Sequence, residues 1–347
     1  LKQTFKLKFR ERYNFFNKRN FNFLQMSLKR ENSRTKFDAS PLWQYETENG
    51  DGILHLALSP NNQDISLSQW DGNINIISSN TGRVSYTIPF IDKNAVVNCS
   101  KFHPTNRLLL CSGTSGHVCI CKYQTGNYMW STLDKNDVTY SCSFSLKGDY
   151  YFSGGKEAVI KVYDTESGKK IHSFSKDDEL SLFHSSRIYC VINHPQNNNI
   201  FASGGWDQRV IIWDIRQPNS AMHIGGPNIC GDSIDIRSDQ ILTGSWRPKD
   251  QIEIWDMKTL GLIKQTNFSK DENCQVYSAK FALSSDFSVA GGSDSTSVRI
   301  FDADLTPQER LGYFESPVTS VAVKSDGTIV FAASQNGKCF AFSNGSQ

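Results

Sequence analysis

A histidine, a serine and an aspartate fall within one short stretch of this chain, at His184, Ser203 and Asp207, and such a trio could in principle carry acyl transfer. That chemistry needs an exposed hydroxyl activated by the imidazole and donors for a developing oxyanion. The sequence offers no GxSxG elbow, and Ser203 sits in an apolar run, IFASGGWDQ, so no catalytic residue is assigned and an enzyme is not expected. The nine cysteines include no CxxC pair. Cys119 and Cys121 alternate in a strand-like HVCICKY segment without a histidine at metal spacing, so they read as core residues and no metal or other cofactor is expected. An odd number of scattered cysteines suits an intracellular protein, cytoplasmic or nuclear, with reduced thiols. His55, His103 and His194 lie on or just after strand-like runs that are otherwise apolar and small, and turn or core roles are expected of them.

The elements that must position these residues recur. The segments INIIS, VCICK, IKVYD, VIIWD, IEIWD, VRIFD and CFAFS stack on one another, with fourth residues at Ile77, Cys121, Tyr163, Trp213, Trp255, Phe301 and Phe342 and intervals between 41 and 50 residues. Each follows a short apolar run closed by a turn, and ahead of that lies another apolar run, as in AVVNCSKFHP or RIYCVINHP. Three strands and a more variable fourth make one propeller blade. A single four-stranded sheet cannot cover both its apolar faces, whereas seven packed radially cover one another. The expected fold is therefore all-β, a seven-bladed β-propeller of four-stranded antiparallel blades.

Trp213-Asp214 and Trp255-Asp256, with the degenerate Tyr163-Asp164 and Phe301-Asp302, resemble the signature of the WD-repeat family over about residues 42 to 347. The resemblance implies that an N-terminal strand completes the last blade, a role for residues 42–49, because the final repeat ends after its third strand. It also implies a structural set of His184, Ser203, Asp207 and Trp213, complete only in the fourth repeat. Asp71, Asp250 and Asp294 keep the turn acid, Asn336 stands in for it, and the second and third repeats lack it and should be the looser blades.

In this pattern the residue before the turn acid projects on the upper rim, which places Trp70 and Trp206 there, with Trp246 and Arg247 on the widened turn SWRPKDQ and Arg187 on the loop leading into the fourth blade. Tryptophan and arginine together have the composition of an interaction hot spot. On the lower rim, Trp213-Asp214-Ile215-Arg216 is similar to the Trp-Asp-x-Arg element of substrate receptors that dock on the adaptor of cullin-type ubiquitin ligases, with Arg216 as the docking residue.

The formal net charge of +2 is unevenly shared: residues 1–36 carry eleven Lys or Arg against Glu11 and Glu31, leaving −7 on the rest. A mildly acidic body does not suit a nucleic-acid groove in the propeller, and no apolar run spans a bilayer. Residues 1–41 read as a basic, flexible N-terminal arm. Met26 is a candidate start, which would make residues 1–25 translated upstream sequence, and a mitochondrial presequence or a membrane-surface or RNA-contacting arm over residues 1–25 are the alternatives. The expected function is a non-catalytic scaffold for other proteins in a multiprotein complex; a ligase substrate receptor is the rival reading.

Overall fold

The computed structural model describes residues 37–344 except 106, 176–181, 218–220, 271–273 and 294–295. The basic arm and Asp294 lie outside the described residues. Over Asp38–Asn344 the described residues form seven four-stranded antiparallel sheets. The innermost strands are Ile53–Leu58, Val97–Phe102, Thr139–Phe144, Ile188–His194, Ile234–Arg237, Val276–Phe281 and Val318–Val323. Each touches the innermost strands of both flanking sheets, and the first touches the seventh, so the sheets close into a ring.

Six sheets are built from consecutive strands. In the seventh, the outermost strand is Trp43–Glu46, paired antiparallel with Lys338–Ser343 in the register Trp43↔Ala341 to Glu46↔Lys338. The junction is fastened further by Trp43, whose indole donates to the Ser79 carbonyl (3.0 Å) and lies against Gly82 in the first blade. Gly82 adopts φ 68°, and a Cβ there would meet the Trp43 ring at 2.6 Å.

The core lies between blades rather than at one centre. The second strand of each sheet carries a wholly buried stretch, as in residues 109–113 and Ser288–Gly292, because both its faces pack on neighbouring sheets. Phe152, Phe174, Phe201 and Trp213 fill the boundary between the third and fourth blades, with Phe152 and Phe201 stacked at 4.4 Å. Small residues at the ends of these strands allow the approach: a Cβ on Gly204 would meet Ile234 of the next blade at 2.6 Å.

Candidate interaction face and central channel

In the fourth blade a relay of hydrogen bonds runs from the third strand to the turn. The Trp213 indole N–H donates to Ser203 Oγ (2.7 Å), Ser203 pairs with His184 Nε2 (2.7 Å), and His184 Nδ1 pairs with Asp207 Oδ2 (2.8 Å). The order is self-consistent when the serine hydroxyl donates to Nε2 and Nδ1–H donates to the carboxylate. Ser203 is fully buried and its oxygen already committed, so the set supports structure and has no room for an attacking hydroxyl.

Other blades replace this relay with charge. The position of Ile211, two residues before the aromatic, is Lys161 in the third blade and Glu253 in the fifth. Glu253 accepts from Thr243 (3.2 Å) and pairs with Arg247 (2.6 Å), while the Trp255 indole donates to Thr243 (3.1 Å). Lys161 binds Asp134 (2.5 Å) and Asp137 (2.8 Å). The third blade thus lacks the turn acid but carries an ion triplet in its place, with Lys161 and Asp137 buried and Asp134 reaching solvent.

The upper rim is where the loops between second and third strands meet the loops leading into the innermost strands: Trp70 N–H donates to the Gly52 carbonyl, Trp206 N–H to Arg187, and Trp246 N–H to Asn228. The rim residues are not equivalent. Trp70 and Trp206 are exposed at 46% and 42%. Arg187 lies over the Trp206 ring (5.3 Å to the centroid), Tyr189 packs beside it (5.4 Å), and Tyr140 stacks on Tyr189 (4.6 Å). Trp70 stands apart on the first blade. Trp246 is half-buried with its indole nitrogen enclosed. Arg247 does not offer a free guanidinium to a partner: it binds Glu253 and the Lys249, Asp250 and Gly226 carbonyls, clamping its own widened turn. On the lower rim, Arg216 is exposed and forms a bidentate pair with Asp214 (2.9 and 2.6 Å).

The ring encloses a cavity of about 280 Å³ at the mouth of the central channel. Its wall is made by the second residue of six innermost strands, Leu54, Asn98, Tyr140, Tyr189, Tyr277 and Thr319, with Gly231 and Asp232 from the fifth blade. Tyr140 and Tyr189 therefore belong both to the cavity and to the Trp206 aromatic group. The inner strands are mostly apolar and small, as expected, but they also carry a charged cluster that the sequence reading did not single out. Asp232 collects His55 Nε2 (3.1 Å), Lys101 Nζ (3.1 Å) and Lys280 Nζ (2.9 Å), and Cys190 Sγ reaches it at 3.6 Å. Burial opposes its ionisation, but the two lysines and His55 hold the Asp232 carboxyl well below the ordinary carboxylate range. His55 is thus an ion-pair partner in the channel, whereas His103 and His194 serve turns, their Nδ1 atoms accepting from the Thr105 and Gln196 amides.

The signal for the cluster is present in the chain. Lys101 and Lys280 occupy the same strand position, in SKF and AKF, where other blades have Ala57, Ser143, Ile192, Asp235 and Ala322. Two lysines pointed into one channel require an acid. Asp232 escapes repeat alignment because the fifth inner strand is short and begins three residues later.

A family model for the WD domain, G-beta repeat, matches residues 173–214. Methylosome protein WDR77 of Xenopus laevis is 26% identical over 202 residues, 56% of this chain and 56% of that protein. The guanine nucleotide-binding protein subunit beta of Zea mays is 22% identical over 218 residues, 58% of this chain and 56% of that one. DDB1- and CUL4-associated factor 5 of Homo sapiens is 33% identical over 78 residues, 22% of this chain and 7% of that protein. The matched region thus spans about half the length of the first of these relatives. Among solved structures, a chain of a mitotic checkpoint complex superposes with a TM-score of 0.76 at 18% identity, covering 89% of this chain and 93% of that one, a likeness of fold. The described residues form a seven-bladed β-propeller, and its Trp-Asp strand ends and these matches support a propeller of the WD-repeat type.

Proposed function

We propose that this propeller is a non-catalytic scaffold for protein partners, with the Trp206 side of the upper rim as its principal docking face. The observation that carries the reading is continuity. Arg187, Trp206, Tyr189 and Tyr140 form one contiguous group, exposed at Trp206 and half-buried at the two tyrosines, running from the rim into the channel mouth, an anchor of the kind that dominates protein interfaces. Affinity capture from the source cell should lose its partners with Trp206→Ala plus Arg187→Ala, while the melting temperature stays within about 2 °C of wild type. Trp70→Ala should weaken capture less, being remote from that group. Retained partners in the double variant would exclude this face.

A second reading, a substrate receptor of a cullin-type ligase, is favoured by the exposed Arg216 in Trp213-Asp214-Ile215-Arg216 and by the similarity to a DDB1- and CUL4-associated factor. Its internal pair with Asp214 must be released or shared for Arg216 to dock. Binding of the purified adaptor that is abolished by Arg216→Ala would establish it; no binding by the wild-type protein would remove it.

A further inference from the structure

We propose that Cys99 and Cys142 form a dithiol, reached from the central channel, that hydroperoxides oxidise to a disulfide stapling the second blade to the third. The two residues face each other across that blade boundary, Cys99 Sγ lying 3.7 Å from the Cys142 carbonyl and Cys142 Sγ 3.9 Å from the Cys99 carbonyl. Cys99 also lines the 280 Å³ cavity, which gives a small oxidant a path to its sulfur. The same wall carries His55, which is 3% exposed, bound to Asp232 through Nε2, and has no hydrogen-bond partner at Nδ1. Burial alone disfavours a thiolate at Cys99, but hydrogen bonding with Cys142 and the positive charge of His55 and Lys101 hold its thiol well below the ordinary value. The charged and titratable groups around it are His55, Lys101, Asp232 and Lys280 in the channel, with Cys142 on the third blade and Cys190 on the fourth.

The molecule contains its own controls. Cys111, Cys119 and Cys121 are equally buried, but they lie between the first two blades away from the cavity, and burial raises the Cys111 thiol well above its ordinary value. Cys230 lines the cavity and is the more exposed thiol, yet burial raises it too, against a hydrogen bond from Trp206. Exposure therefore favours Cys230, and chemistry favours Cys99.

In the first step the Cys99 thiolate attacks one peroxide oxygen. The S–O bond forms, the O–O bond breaks, and the departing hydroxide takes a proton to leave as water, giving a sulfenic acid. In the second, Cys142 gives up its proton and its sulfur attacks the Cys99 sulfur. The S–S bond forms as the S–O bond breaks, and a second water leaves. Two thiols and one hydroperoxide yield one disulfide and two waters, or one water and an alcohol for an alkyl hydroperoxide. His55 acts as a positioning residue that holds positive charge beside the thiolate.

The test is peptide mapping of the full chain after brief treatment with hydrogen peroxide at neutral pH, with dimedone present to trap sulfenic acid. The wild type should yield a peptide linked through Cys99 and Cys142. Cys142→Ser should leave a dimedone adduct on Cys99, and Cys99→Ser should leave Cys142 reduced. His55→Gln should slow oxidation of Cys99 by about tenfold, the effect of one unit in thiol acidity, with alkylation of Cys230 unchanged. Should that variant misfold, the wild type alone decides, because iodoacetamide alkylation of Cys99 should persist at pH values where alkylation of Cys230 has already fallen away. Oxidation of Cys230 ahead of Cys99, a Cys99 no faster than Cys111, or a Cys99 sulfenic acid that never links to Cys142 would each overturn the proposal.

Discussion

Replacing Asp232 with asparagine keeps the shape of the channel acid and removes its charge. Lys101, Lys280 and His55 would then share a largely buried space, with side-chain exposures of 23%, 14% and 4%, and no carboxylate between them. Taking one partner from a buried ion pair costs about 3–5 kcal/mol, because the remaining charge is left without compensation. For a chain of this size, with an unfolding entropy of about 0.7 kcal/mol/K, that corresponds to a loss of roughly 4–7 °C in melting temperature. The pH dependence gives a second signature. The Asp232 carboxyl is depressed in the folded state, so its stabilisation is present above the ordinary value near 4 and is lost as pH falls through the folded value. His55 is raised, burial opposing its charge and the neighbouring Cys99 and Asp232 favouring it, so its contribution is full below about 6.5 and disappears as pH rises through the folded value. The gap between wild type and Asp232→Asn should widen modestly from pH 8 to 6 and collapse below about pH 4. Scanning fluorimetry across that range reads both. A variant melting within about 2 °C of wild type at pH 7, or a gap that persists undiminished in acid, would refute the account of the cluster. Adding Lys101→Met to Asp232→Asn should restore at least part of the loss.

Ser203→Ala leaves both the Trp213 indole N–H and His184 Nε2 buried without partners, and urea unfolding should report a loss of about 2–4 kcal/mol. Removing residues 1–49 takes away the strand Trp43–Glu46 and uncovers the edge of Lys338–Ser343, so the melting temperature should drop by many degrees, whereas removal of residues 1–25 should leave it unchanged. Gly116→Ala places a Cβ 2.0 Å from the Asp134 carbonyl at a backbone φ of 79°; circular dichroism melts should show destabilisation of about 2 kcal/mol or more.

The ring and its blade count were legible because the repeat is written in residues whose roles do not vary: mostly small residues ending the second strand, an aromatic or apolar residue near the end of the third. The hydrogen-bonded set of the fourth blade was legible for the same reason. What escaped was compensation. Lys161 and Glu253 sit at a strand position whose residue type varies from blade to blade, and only when Asp137 and Arg247 fold onto them does the bonding of those blades become evident. The channel cluster escaped because its four members come from four different blades and the acid falls outside the repeat register. On the rim, Trp206 and Arg187 are adjacent as their loop positions imply, whereas the role of Arg247 follows from Glu253, whose side chain no local pattern marks as its partner.

The pairing of Trp43–Glu46 with Lys338–Ser343 also sets an order of events during synthesis. Each of the first six blades can form from contiguous chain soon after its last residue leaves the ribosome. The seventh cannot. Its outermost strand is made before any blade and must wait, unpaired, until Lys338–Ser343 has been translated, and the edge that receives it is available only then. A nascent chain stalled before residue 338 would therefore carry an orphan strand, WQYE, and an open ring, which makes that interval the one in which this protein most needs shielding from edge-to-edge pairing with another chain.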